Sequence, residues 1–131
     1  MKESTVRTET FFDEKENILY TKVSGIVHLE DMFKSAEYLA TDRSLPRILR
    51  IVEDAREAKV SFSENELHLL ARKIEIAADN FISIRHAVIH SCPMNTAFSI
   101  LISEMIKREN YYLKVFSTME GAKDWVKINA I

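Results

Sequence analysis

Two short alternating runs of apolar and polar residues open this chain. Three rounds of amphipathic helix followed by a compact apolar strand come next, and a last helix closes it. A period of two marks a half-buried strand, and recurrence at three and four marks a helix. The order is therefore β-β-α-β-α-β-α-β-α. Strands alternating with helices fold as an α/β layer structure. The expectation is one α/β domain over residues 1–131, with a mostly parallel five-stranded sheet and helices packed on it. With 47% apolar residues the chain can bury a core without a disulfide or a metal.

Residues 1–7 are expected to be flexible. Thr8 to Phe12 reads as a first strand, residues 13–17 as a polar turn, and Ile18 to Ser24 as the hairpin partner, ended by Gly25. A first helix over Leu29 to Ala40 places Met32, Phe33, Ala36 and Leu39 on one face. Arg47 to Glu53 is apolar on both faces, as a central parallel strand requires. Ser63 and Glu66 have capping-box spacing at the head of a second helix that reaches about Asn80. Ser83 to Ser91 is the next strand, Asn95 to Glu109 the third helix and Tyr112 to Phe116 the last strand. Ser117 and Glu120 repeat the cap spacing before a helix carrying Ala122, Trp125 and Val126. Trp125 is expected in the core, on a face shared with Gly121 and Ala122. Crossovers of this kind are right-handed. The helices are expected to divide between the two faces of the sheet, but the sequence does not assign them.

Composition narrows the function classes. Eighteen basic and twenty acidic residues are interspersed, giving a net charge of −2, which does not suit a nucleic-acid surface. The single cysteine, Cys92, allows no intramolecular disulfide. The first ten residues are polar and charged, unlike a signal peptide, and no apolar run is long enough for a membrane span, so a cytoplasmic protein is expected. Two glycines leave no Gly-rich phosphate cradle. No catalytic signature appears, and neither an enzyme nor a cofactor is expected.

A family resemblance rests on three stretches. Arg50-Ile51-Val52-Glu53-Asp54-Ala55-Arg56 resembles the strand-end Asp-x-Arg of the STAS/SEC14-like, or SpoIIAA-like, group. Val115-Phe116, followed by Ala122 and Trp125-Val126, is similar to that group's closing Val-Phe, Ala and Trp-Leu pattern, with Val126 in place of the leucine. Val23-Ser24-Gly25 matches its early strand exit. Together the resemblance spans residues 17–126. It implies a small domain used for binding and regulation, acting as a homodimer or on a protein partner. Anti-sigma-factor antagonists of the wider group are switched by phosphorylation of a serine in an Asp-Ser context. This chain lacks that motif, although Ser61 and Ser63 lie in the analogous region. The related SEC14 domains bind lipid in a pocket built by extra helices, for which 131 residues leave little room.

Several residues could carry chemistry. Asp54, Arg56, His90, Ser91 and Cys92 fall near the C-terminal ends of two parallel strands, where open α/β sheets bind ligands. One reading is a polar pocket in which Arg56 takes a small anion or lipid head group, oriented by Asp54. The other is an Asp–Arg pair that ties down a loop. Cys92, at a helix N-terminus, could be a reactive thiol or a half-buried turn residue. His86 and His90 point the same way but stand about 13 Å apart by strand rise, too far to hold one metal. His28 reads as a helix-entry residue and His68 as solvent-facing. Ser63 is explained either as a cap or as a phosphate acceptor. On the third helix Phe98, Ile102, Met105 and Ile106, with Ala97, Ile100 and Leu101, cover more than one stripe. That excess fits a partner or dimer surface, or equally a helix sunk between the sheet and a neighbour.

Overall fold

A hairpin begins the chain. β1 (Arg7–Asp13) and β2 (Ile18–Val27) pair antiparallel, from Arg7 opposite Ser24 to Asp13 opposite Ile18. Asp13 builds the turn by accepting the backbone N–H groups of Lys15 and Glu16 on its carboxylate. Asn17 adopts φ 60°, a left-handed conformation that asparagine tolerates. The computed structural model describes residues 6–128. The expected flexibility of residues 1–5 lies outside those residues, and Arg7 is already paired in β1.

α1 (Leu29–Thr41), β3 (Ile48–Val60), α2 (Leu67–Ala78), β4 (Ser83–Ile89), α3 (Pro93–Met105), β5 (Tyr111–Phe116) and α4 (Met119–Val126) follow. The sheet order is β1-β2-β3-β4-β5, parallel from β2 onward. Each crossover steps the same way along the sheet. Right-handed connections then deposit their helices on one face, and α1, α2 and α3 do pack side by side there. α4 follows the last strand and covers the other face, where Ala122 and Val126 meet Ile18, Val52, Ala87 and Ile89. Two arginines from adjacent register positions close the C-terminal end of α4. Arg50 Nε donates to the Val126 carbonyl at 2.8 Å and Arg85 to the Trp125 carbonyl at 3.1 Å. Trp125 itself is half-buried at the rim of that core, 5.7 Å from the Phe116 ring centre.

The structure corrects three expectations and describes the surroundings of α3. β3 does not stop at Glu53 but runs to Val60, so most of the expected loop after Asp54 is strand. A bulge makes this possible: Lys22 pairs with Asp54 but Ser24 pairs with Glu57, so Ala55 and Arg56 together face Val23. The extra residue reverses which side chains face the helices. Glu53 and Ala55 point to them before the bulge, and Ala58 and Val60 after it, while Glu57 and Lys59 stay outside. α3 starts at Pro93 and ends at Met105, because Ile106 turns to extended backbone. The α4 cap is Thr118, not Ser117; its hydroxyl accepts the Gly121 N–H at 3.0 Å. On α3 the apolar residues of one side are turned inward, while Ala97 and Ile100 are exposed. Ile102 is 5% exposed, and Phe98, Met105 and Ile106 pack with it against Leu67 and Leu70. α3 packs on β5 and also against α2 beside it, and those two contacts use more than one apolar stripe.

His28 does enter α1, its N–H donating to Asp31 at 2.8 Å, and His68 is exposed. Ser63 heads a 3₁₀ turn, Glu64–Glu66, that leads into α2, and its N–H donates to Glu66.

Candidate functional site

Strand parity sets the site. Glu53 on β3, His86 on β4, His90 just beyond it and Tyr111 on β5 all face α1, α2 and α3. There they line a cavity of about 90 Å³ whose remaining walls are mostly apolar, among them Val23, Ala55, Ala58, Leu70, Val88 and Phe98. A groove of about 550 Å³ between α1 and the β1–β2 hairpin shares Val27, Met32, Glu53, Ile74, His86 and Tyr111 with it. Thr8, Thr10, Thr21, Asp31 and Lys34 add polar groups to that groove. Its volume lies in the range of small-molecule pockets.

Three of the polar side chains form a chain across the sheet. His86 Nε2 lies 2.7 Å from Glu53 Oε1, and His86 Nδ1 lies 2.6 Å from the Tyr111 hydroxyl. Burial pushes the Glu53 carboxyl up, but the His86 hydrogen bond and the two neighbouring imidazoles outweigh it, and the net shift is downward. Glu53 is thus an acceptor, and Nε2 is the donor to it. In the neutral ring Nδ1 then accepts the Tyr111 proton. Burial, with the Glu53 charge, holds the Tyr111 phenol well above its ordinary range, so it keeps that proton. The second Glu53 oxygen, Oε2, has no hydrogen-bond partner among the described residues and stays accessible; the side chain is 15% exposed.

His90 takes a different partner. Its Nε2 lies 2.8 Å from the Ser99 hydroxyl on α3. The ring is 8% exposed, and Nδ1 is buried without a hydrogen bond. Burial lowers the His90 pKa, outweighing the Glu53 charge, so the ring is neutral at neutral pH. His86 and His90 therefore serve separate partners.

The residues expected to form one pocket are separated. Arg56 grips Asp54 bidentately, with two 2.9 Å contacts, and holds its carboxyl low. Asp54 shares the Val52 face, opposite to Glu53 and Ala55, so it is turned away from His90. Cys92 is exposed at the head of α3, and the Ser91 hydroxyl donates to the Arg56 carbonyl at 3.2 Å. Ser61 is exposed, its N–H bonded to the Val27 carbonyl. Sequence reasoning missed Glu53, Tyr111 and Ser99. One signal was available: Glu53 continues an apolar strand on its buried side, and a charge there requires a partner. Among the described residues no group of three His, Cys, Asp or Glu could hold a metal ion, and no helix is long and apolar enough to cross a membrane.

No family model and no curated protein matches the chain. Among solved structures it is similar to an uncharacterized DUF3478-family protein from Shewanella loihica, described as having a SpoIIAA-like fold. The two are 17% identical, with a TM-score of 0.59 over 96% of this chain and 97% of that one. At that identity the likeness speaks to architecture, and it agrees with the element order, the sheet and the helix placement described above. The chain has a SpoIIAA-like α/β fold.

Proposed function

We propose that this domain is a small-molecule binder, taking a mostly apolar ligand into the space between the sheet and its three crossover helices. The observation that carries the reading is the cavity itself, an apolar chamber joined to a polar-rimmed groove. Pockets for small ligands have this composition, apolar walls with a few placed polar groups. The ligand enters along the groove under α1 and reaches Glu53 and His86, which line both spaces.

A hydrolytic reading of the Ser99–His90 pair is weaker. Such a pair works when a third group orients the imidazole through its other nitrogen. Here Nδ1 of His90 has no hydrogen-bond partner. Binding is the better use of these groups. A regulatory role is compatible with it, since ligand occupancy would bias α1, the helix that roofs the groove.

The test is displacement of a neutral fluorescent probe, N-phenyl-1-naphthylamine. The wild-type protein is expected to enhance its fluorescence saturably. Ala58→Phe, which puts a ring into the cavity, is expected to lose most of that signal while keeping its circular dichroism spectrum. Equal binding by a folded Ala58→Phe variant would remove the cavity as the site, and no binding by wild type would remove the function.

A further inference from the structure

We infer that the ligand's polar head is a hydrogen-bond donor, an aliphatic amine by preference, received by the open carboxylate oxygen of Glu53. The inference rests on the binding reading above and names the chemistry of its occupant.

Geometry carries it. Glu53 stands on the central strand, at the junction of the cavity and the groove. One oxygen is taken by His86 at 2.7 Å. The other is accessible and has no partner among the described residues. An ionised carboxylate offers only acceptors, so a group that completes it must bring a proton. Among mostly apolar walls a charge-assisted hydrogen bond to that oxygen is worth more than a neutral one.

Charge around the junction points the same way. Asp31 and Glu53 are the carboxylates that line the groove, and Lys34 is the cation. Asp31 is occupied at the head of α1 by the His28 N–H. Lys34 is exposed at the rim. His90, the other imidazole of the cavity, is kept neutral by its burial. No lysine or arginine lines the inner end, and both ring nitrogens of His86 are already committed to Glu53 and Tyr111. An anionic head would meet the Glu53 charge with no counterion beside it. An ammonium head would meet a carboxylate with one oxygen free, its alkyl tail lying among Val23, Leu70, Val88 and Phe98.

The experiment compares three probes with the same tail, n-octylamine, 1-octanol and octanoate, as competitors of N-phenyl-1-naphthylamine at neutral pH. The expected order is amine, then alcohol, then carboxylate. Amine and carboxylate should differ by roughly ten-fold or more, the scale of one charge-assisted hydrogen bond. In Glu53→Gln, whose amide carbonyl can still accept from His86, the amine should lose its advantage over the alcohol. Octanoate binding as tightly as octylamine would overturn the inference and leave the binding reading standing. A preference for the amine that survives in folded Glu53→Gln would likewise overturn it, by moving the head elsewhere. Failure of wild type to bind the fluorescent probe at all would instead take down the binding reading itself. If Glu53→Gln does not fold, the order of the three probes on the wild-type protein still decides.

Discussion

Glu75→Ala should destabilise the domain by about 2–4 kcal/mol, and the structure shows how that figure arises. Glu75 sits on α2 and is 6% exposed. Its Oε2 accepts the backbone N–H of Lys107 at 2.6 Å, fixing the segment that leaves α3 for β5. Its Oε1 meets Arg72 at 2.9 Å and Arg108 at 3.6 Å. The backbone bond is charge-assisted and buried on the acceptor side, a class worth about 1.5–3 kcal/mol. The arginine side chains are 53% and 37% exposed, so they regain water when the carboxylate goes, and each adds only about 0–1 kcal/mol. Urea unfolding at neutral pH would measure the sum. With an m-value of about 2 kcal/mol/M the midpoint should fall by roughly 1–2 M. Burial pushes the Glu75 carboxyl up, but Lys107 N–H and Arg72 outweigh it and hold it below its ordinary value of 4.5. A depressed folded pKa contributes stability in full above the ordinary value and loses it as pH falls through the folded one. The gap between wild type and Glu75→Ala should therefore narrow in acid. A midpoint shift under a few tenths molar, or a gap that does not change with pH, would refute this account of the α2–α3 junction.

Two further outcomes follow from burial and charge. Ile102→Asp should cost several kcal/mol because it strands a charge among Leu67, Leu70 and Phe98, whereas Ile100→Asp, at a site 47% exposed, should stay within about 0.5 kcal/mol; thermal melts of both separate an inward α3 from an outward one. Glu16 should titrate at about 2, held down by its Tyr20, Lys127 and Lys123 partners, and carboxyl carbon chemical shifts should follow it upward in a Lys123→Ala, Lys127→Ala double variant. Its contribution to stability is then present above the ordinary carboxylate range and is lost as pH falls toward 2.

Periodicity made the element order legible, since each apolar stripe had one covering partner to find. The Leu67-Leu70-Ala71-Ile74 stripe and the both-face apolar run of β3 are local patterns, and they map directly onto α2 and the central strand. The end of β3 was not legible, because the bulge at Ala55–Arg56 breaks the count of two and makes a strand look like a polar loop. The covering of α3 stayed open in the sequence for a different reason. Composition tells how many faces are apolar but not which neighbours cover them, and only the one-directional stepping of the sheet puts α2 beside it. The site was hidden because its members are far apart in sequence. Glu53 and His86 are 33 residues apart and meet only through register. Asp54 and Arg56, close in sequence, drew attention but found each other.

The β3 bulge also has an arithmetic consequence. It splits the strand into two segments of opposite parity, with Glu53 and Ala55 in one and Ala58 and Val60 in the other. Removing one residue at the bulge would restore regular alternation and leave Ala58 and Val60 facing the helices, whereas a strand that kept every residue without bulging would turn Glu57 and Lys59 there instead. Glu53 and its His86 partner, upstream of the break, would keep their places. The bulge thus absorbs the odd residue of β3 and keeps a small apolar lining beyond the polar half of the chamber. Length is therefore forgiving at that one point of the central strand, where a residue can be lost without turning a charge toward the helices.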